Sequence, residues 1–154
     1  EKSEQLRSPL CRLFGKVYLA QGRISEALNQ LAQDIYYSSV EHGPEHYNVT
    51  GGYFHMGLAF LKQDQVENCL AFFDKVVDIW FKFLTNLRQQ PEGQSISKIM
   101  NDTSLGEAAD ILRSTIDTRV EFLGNGHIAT GEASYVLGML CHLTGHYDKA
   151  QQLY

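Results

Sequence analysis

Apolar residues recur at spacings of three and four along most of the chain, and short segments rich in glycine, proline or polar residues interrupt them. Residues at this spacing share one side of a helix, so the pattern predicts helices joined by short turns. In chain order the predicted helices cover about 9–22, a stretch from Ser25, about 50–62, about 65–90, a short pattern within 94–103, a stretch from Ser104, 130–143, and a stretch from Tyr147.

Two fixed offsets in the sequence indicate an internal repeat. An offset of 42 residues relates Gly15 to Gly57 and Ala27 to Cys69. An offset of 81 residues relates a second set of turn and helix residues. Its pairs are Gly43 and Gly124, His46 and His127, Gly57 and Gly138, and Ala27 and Ala108. The chain is therefore predicted to consist of helix-turn-helix units, in which we call the first helix A-type and the second B-type.

Each unit carries a small residue in its A-type helix and another twelve positions later in its B-type helix. Gly15 and Ala27 form one such pair, and Gly138 and Ala150 form another. Small residues let two helices approach closely while large neighbours interlock. The spacing resembles the consensus of tetratricopeptide (TPR) repeats, but the units exceed the usual ~34 residues and are similar to the longer repeats of kinesin light chains. We therefore predict an all-α, TPR-like helical repeat array, a right-handed superhelix of antiparallel helix pairs.

The repeat pattern predicts one array of four units. Their extents are about 1–46 for repeat 1, 47–92 for repeat 2, 93–127 for a degenerate repeat 3, and 128–154 for an incomplete repeat 4. A last repeat without a following neighbour cannot bury its apolar face. The chain is accordingly expected to be a fragment of a longer protein.

Composition and charge narrow the classes of function. The formal net charge is −5, so the clustered Lys and Arg of a nucleic-acid-binding surface are not expected. No apolar run approaches the ~20 residues of a membrane-spanning helix, and residues 1–5 lack the apolar core of a signal peptide. We expect an intracellular protein. Its three cysteines, Cys11, Cys69 and Cys141, have no paired spacing and are expected to be reduced packing residues.

Several runs of sequence resemble one family more specifically. They are Asp34-Ile35-Tyr36-Tyr37-Ser38-Ser39, Gly43, Thr50-Gly51-Gly52-Tyr53-Phe54-His55, Lys75-Val76-Val77-Asp78-Ile79-Trp80 and Asn101-Asp102-Thr103. Together they are similar to the TPR part of the axonemal zinc finger MYND domain-containing protein 12 family, over most of residues 10–120. The resemblance implies a structural subunit of the axoneme of motile cilia or flagella that docks or stabilises single-headed inner dynein arms. The implied partners are an inner-arm dynein heavy chain and a second TPR protein.

A TPR array commonly binds its partners on a concave surface lined by the A-type helices. By analogy, the predicted groove residues are Arg12, Lys16 and Leu19 on the first, Phe54, Leu58 and Leu61 on the second, and Tyr135 and Met139 on the last. Phe54 and Tyr135 correspond across the offset of 81 and are the leading candidates. The alternative for Leu58, Leu61 and Met139 is that they are core residues.

Aromatic residues on the long helix over 65–90 are candidates for a second interface. Trp80 and Phe83 are of the type that is enriched in binding hot spots. The alternative for Trp80 is a tryptophan buried between repeats.

No metal site, cofactor or catalytic site is expected. The family's MYND zinc finger has no counterpart here, because these residues contain no Cys/His cluster. His42 and His46 are separated by the Gly43-Pro44 break, and a histidine in such a loop often caps the next helix. Asp74 and Asp78 lie one helical turn apart but have no partnering histidine or nucleophile. The sequence thus predicts a protein that is not an enzyme.

Two functions from different classes remain open. The first is a non-catalytic scaffold of the axoneme, and the second is an adaptor that binds cargo or peptides, as kinesin light chains do. An N-terminal MYND cluster in the full-length protein would favour the scaffold, and an N-terminal heptad coiled coil would favour the adaptor.

Overall fold

The structure is a computed structural model that describes residues 5–90 and 95–154. Within those residues the regular structure is helical and contains no strand, which confirms the all-α prediction. The helices are α1 (Arg7–Ala20), α2 (Ile24–His42), α3 (Thr50–Lys62), α4 (Val66–Gln89), α5 (Ile96–Ile99), α6 (Asp102–Leu123), α7 (Ile128–Leu143) and α8 (Tyr147–Leu153), with one 3-10 turn over Tyr47–Val49.

Glycines with positive φ end two long helices at equivalent positions. Gly43 has φ 94° and Gly124 has φ 89°, a region that residues with a side chain rarely adopt. The N–H of Gly43 donates to the carbonyl of Ser39, and the N–H of Gly124 donates to the carbonyl of Val120. The chain therefore leaves α2 and α6 in the same way, which explains why these glycines recur in the sequence.

Histidines start the segments that follow those glycines. Nδ1 of His46 accepts a hydrogen bond from the N–H of Asn48 at 3.1 Å, and Nδ1 of His127 accepts one from the N–H of Ala129 at 3.1 Å. Each ring satisfies a backbone donor that the next helix leaves unpaired. The prediction of a capping histidine in the loop is confirmed.

Close packing between A-type and B-type helices follows the predicted spacing of small residues. A Cβ added to the A-type glycine would lie 2.6–2.7 Å from a large side chain sixteen residues later, so only glycine fits without a shift. The second small residue of each pair is buried. The three glycine contacts are Gly15 with Leu31, Gly57 with Phe73, and Gly138 with Tyr154, and the three buried residues are Ala27, Cys69 and Ala150. These contacts identify TPR-like helix pairs.

The pair formed by α5 and α6 departs from this pattern. Ile96 of α5 stands twelve residues before Ala108, where the other A-type helices have glycine, and both residues are buried. α5 has only four residues. A short, degenerate A-type helix was predicted in this part of the chain, although residue 94 of the predicted range lies outside the described residues.

The chain divides into two compact units, residues 1–79 and 80–154, and the boundary falls within α4. In the first unit, buried Leu19, Ala27 and Ala59 form a cluster against which Tyr18 and Leu58 pack. In the second unit, every helix contributes buried apolar residues, and the fully or nearly fully buried ones include Leu84, Leu112, Val136 and Met139. The right-handed superhelical course and the four-repeat division stay predictions.

Among the described residues, no helix combines the length and the apolar character that spanning a membrane requires.

Candidate functional site

Two of the predicted groove residues of α1 are cations, and they differ in role. One connects parts of the fold, and the other faces solvent. Nε of Arg12 donates to Oδ2 of Asp34 at 2.8 Å, and Nη2 donates to the carbonyl of Asn48 at 2.6 Å. The guanidinium of Arg12 thus joins α1, α2 and the turn before α3. Lys16, one helical turn later, is exposed. Of the two predicted groove cations, Lys16 is the one available to a partner.

The predicted groove residue Phe54 is a packing residue. It is 7% exposed, and its ring stacks on that of Phe73 with centroids 5.3 Å apart. The close approach of α3 and α4 at Gly57 brings these two rings together. This corrects the prediction that Phe54 faces a groove, because the side of α3 that carries it is covered by α4.

The other apolar groove candidates are also packing residues to different degrees. Met139 and Leu19 are buried, which corrects their prediction as partner contacts. Leu58 and Leu61 are half-buried, and Leu58 packs against the cluster of Leu19, Ala27 and Ala59. Helical spacing placed these residues on the A-type helices, but the neighbouring helices decide which of them water can reach.

Tyr135 of α7 remains accessible and belongs to a small surface cluster. Its side chain is 42% exposed, and its ring centroid lies 5.5 Å from that of Tyr154. Nη1 of Arg88, in the last turn of α4, donates to the hydroxyl of Tyr135 at 3.4 Å. We call Arg88, Tyr135 and Tyr154 the Tyr135 cluster.

The Tyr135 cluster is positioned by the packing of the last helix pair. Gly138 has no side chain, so Tyr154 can lie against α7 one turn beyond Tyr135. Partial burial raises the pKa of the Tyr154 hydroxyl above its ordinary value of 10, and the charge of Arg88 acts in the opposite direction. The cluster presents two phenol rings and one guanidinium group. Tyrosine and arginine are the residue types that most often dominate protein interfaces.

Sequence reasoning found Tyr135 but missed the role of Arg88. The two residues are 47 positions apart, and no periodicity of a single helix relates them. The usable signal was the basic residue in the last turn of α4, a common place for a cation near a helix C-terminus.

Trp80 and Phe83 do not form an exposed aromatic surface. Trp80 is 2% exposed, and its ring meets that of Phe83 edge to face with centroids 5.8 Å apart. Phe83 is half-buried. The prediction that Trp80 contacts a partner is corrected, because its side chain is buried, as in the alternative of a packed tryptophan.

A pocket lies in the unit over 80–154. It has a volume of about 540 Å³ and is lined by residues of α5, α6, α7 and α8. Leu105 and Leu140 contribute apolar surface, and Arg113 and Lys149 contribute positive charge. Cys141 also lines it, and burial raises the pKa of this thiol while the two cations act in the opposite direction.

The cysteines and histidines of the described residues show no metal-binding arrangement. No group of three His, Cys, Asp or Glu side chains within 5–90 and 95–154 could hold a metal ion. All three cysteines are free, and burial raises the pKa of Cys69 to about 11. Cys69 is fully buried, in agreement with its predicted role as a small packing residue.

The chain has distant similarity to solved structures of TPR-like repeats. No family model matches the chain. Two similar solved structures, one of them a single-substitution variant, are of a kinesin-light-chain-like protein from Podosopora anserina with nearly identical TPR-like repeats. They share 19% and 18% sequence identity with this chain, cover 95% of it and 70% and 71% of their own chains, and have a TM-score of 0.44. The fold assignment stands on the helix pairs described above.

Proposed function

We propose that this chain is a non-catalytic scaffold that binds other proteins through the exposed parts of its A-type helices. The Tyr135 cluster carries the proposal. It combines the exposed Tyr135, on a helix that the buried residues Val136, Leu137 and Met139 hold in place, with a second tyrosine and an arginine from other helix ends. Rigid aromatic residues and arginine contribute large contact areas at low cost in conformational entropy.

The proposed setting is the axoneme of motile cilia or flagella. The protein docks or stabilises single-headed inner dynein arms, with an inner-arm dynein heavy chain and a second TPR protein as partners. Support comes from the resemblance of residues 34–39, 50–55 and 75–80 to the axonemal zinc finger MYND domain-containing protein 12 family.

Residues from the runs that resemble the axonemal family lie close together in the first unit. A Cβ on Gly51 would lie 2.6 Å from Nη1 of Arg12, and one on Gly52 would lie 2.7 Å from the side chain of Ile35. Asp34, from another of the runs, pairs with Arg12. Residues from two of the runs therefore lie in the contacts between α1, α2 and α3, and the family proposal rests on the resemblance of the runs themselves.

Proximity labelling with the full-length protein in cells that build motile cilia tests this proposal. The expected result is labelling of an inner-arm dynein heavy chain and of a second TPR protein in the axonemal fraction. Labelling confined to soluble motor or cargo proteins would contradict the axonemal assignment and favour a cargo adaptor.

A further inference from the structure

The pocket in the unit over 80–154 lies between α6 and the last helix pair. Leu105 and Ala109 line it from α6, and Leu140 and Cys141 line it from α7. Its volume of about 540 Å³ is within the range of about 300–1,000 Å³ that is usual for small-ligand sites. No residue of the Tyr135 cluster lines it, so the pocket is a separate site.

The pocket faces the preceding helix pair and not the side on which a following pair would pack. In the first unit, Leu19 of α1 and Ala27 of α2 mark the side that meets the next A-type helix, because they cluster with Ala59 of α3. At the spacing that relates the glycines of α1 and α7, the equivalent residues lie 123 positions later, at His142 and Ala150. Neither of them lines the pocket. A further helix pair would therefore pack on the other side of α7 and α8 and leave the pocket open.

Small side chains leave this space open. The offset of 81 residues relates the pocket to a place in the first unit where Leu28 and Phe60 stand instead of Ala109 and Cys141. Leu28 packs on the buried cluster of the first unit, and Phe60 stacks on Phe72 with ring centroids 5.5 Å apart. Two large side chains that fill the equivalent place are therefore absent from the pocket.

Two cations take the place of neutral residues around the open space. Arg113 and Lys149 line the pocket, whereas Ala32 and Asn68 stand at the equivalent positions of the first unit. In the part of the chain that the structure describes, neither cation forms an ion pair with a carboxylate. Burial raises the pKa of the Cys141 thiol, and both charges act against that rise. The two cations therefore act on the same part of the pocket, where a bound anion would meet both.

A carboxylate also lines the pocket, but it lies at the other end of the wall that α6 forms. Asp102 is in the first turn of α6, and Arg113 comes eleven residues later, a separation of about 16 Å along the helix axis. Leu105 and Ala109 lie between these two charges on α6. The pocket thus offers an apolar middle and one cationic end, which matches a ligand with an apolar body and a single anionic group.

We propose that this pocket binds a small organic anion, with its apolar body against Leu105, Ala109 and Leu140 and its anionic group on Arg113 and Lys149. The site uses other residues than the Tyr135 cluster and goes beyond the proposed function. Binding removes the apolar body from water and gives the two cations an anionic partner.

Fluorescence titration of the full chain with two probes tests the proposal. The probes are anilinonaphthalene sulfonate and phenylnaphthylamine, which is the same molecule without the sulfonate group. Arg113→Ala combined with Lys149→Asn restores the neutral residues of the first unit. This double variant is expected to bind the sulfonate probe about tenfold more weakly and the neutral probe within about twofold of the wild type. Arg7→Ala combined with Lys16→Ala removes two exposed cations of α1 and should change neither affinity.

Filling the pocket tests where the probes bind. Ala109→Leu restores the leucine of the equivalent position, and Gly106→Leu starts from a lining residue where an added Cβ meets no atom within 4 Å. Each variant is expected to weaken binding of both probes about tenfold or more. Gly131→Leu, at an equally open position of α7 outside the pocket, is the control and should leave binding unchanged.

Circular dichroism of each variant checks that the helices are intact. The proposal would be overturned by the absence of saturable binding of the sulfonate probe to the wild type. It would also be overturned if the charge variant weakened both probes equally, or if binding survived both filling variants.

Discussion

The carboxylate of Asp34 is fully buried and gathers polar groups from two helices. It accepts hydrogen bonds from the hydroxyl of Ser8 at 2.5 Å and of Ser38 at 3.1 Å, in addition to those from Arg12. The side chain of Arg12 is 25% exposed, so water reaches only the cation of this pair. A buried carboxylate with this many donors fixes how α1 and α2 meet, and removing it takes away the acceptor that these donors share.

Replacing Asp34 by alanine is expected to lower the free energy of unfolding by about 3 kcal/mol, because it removes the buried carboxylate that Arg12 and two buried hydroxyls share. Urea denaturation followed by circular dichroism measures the change. Glu26→Ala removes the partner of Arg23 in an exposed ion pair and serves as the control with little expected effect. Equal losses of unfolding free energy in the two variants would show that the buried network does not stabilise the packing of α1 on α2.

His55 should make stability depend on pH. Burial lowers its pKa below the ordinary value of 6.5, and the charges of Lys16 and Arg12 lower it further, while the Gly51 carbonyl and Asp34 act in the opposite direction. A histidine whose folded-state pKa is depressed stabilises the fold above its unfolded pKa. That stability is lost as the pH falls through the folded pKa, because protonation then favours the unfolded chain.

The free energy of unfolding should therefore fall between about pH 7.5 and about pH 5.5, and His55→Gln should reduce that fall. Denaturation at both pH values measures it. His142→Gln, at an exposed position, should keep the wild-type dependence. If His55→Gln leaves the pH dependence unaltered, the buried imidazole is not its source.

The sequence predicted the roles of single residues best where the same residue recurs at equivalent positions of the repeats. It was less informative where a neighbouring side chain decides whether a residue is exposed. His46 lies three residues after Gly43, and His127 lies three residues after Gly124. A capping histidine was predicted in this loop, and both histidines accept a hydrogen bond from a backbone N–H of the next segment. Phe54 and Tyr135 share the same spacing, yet one is buried under Phe73 and the other is exposed. The fate of an apolar residue depends on the side chain that packs on it, and periodicity within one helix does not contain that information.

At the scale of elements, three of the A-type helices, α1, α3 and α7, meet their B-type helices at a glycine. The contact recurs sixteen residues apart in three pairs, against Leu31, Phe73 and Tyr154. Helix bounds were predictable to within a few residues, because caps, glycines and prolines mark them in the sequence. The length of α5 was less predictable, because its four residues complete only about one turn and leave no periodicity to detect.

Gly57→Ala should destabilise the α3–α4 pair by about 1–3 kcal/mol, because the new methyl group would lie 2.7 Å from the ring of Phe73 and force the helices apart. Gly131→Ala is the matched control within α7. No atom lies within 4 Å of the added Cβ there, so the higher helix propensity of alanine should stabilise by up to about 0.5–1 kcal/mol. Thermal unfolding of both variants compares them. A stabilising Gly57→Ala would contradict close packing at this position.

At the scale of the whole molecule, function follows from surfaces that the helix pairs leave open. The net charge is −5, yet α1 carries only positive charges, so charge is distributed unevenly along the chain. The Tyr135 cluster is one such surface, and it combines two aromatic rings with a guanidinium group.

Sequence patterns predicted this architecture because the same spacing recurs in several repeats. The matches at Gly15, Gly57 and Gly138 are weak one by one but support one another. They did not predict the surfaces. Arg88 reaches Tyr135 only because α4 and α7 come together in space.

The most direct test of the scaffold is quantitative co-purification from ciliated cells with full-length protein carrying Tyr135→Ala and Arg88→Ala together. Both side chains are at the surface, so the helices should remain intact by circular dichroism. Asp110→Ala, an exposed charged residue of α6, is the control. We predict that the double variant recovers inner-arm dynein heavy chain about tenfold less well than the wild type and the control. Recovery equal to that of the wild type would contradict the assignment of the Tyr135 cluster as the binding surface.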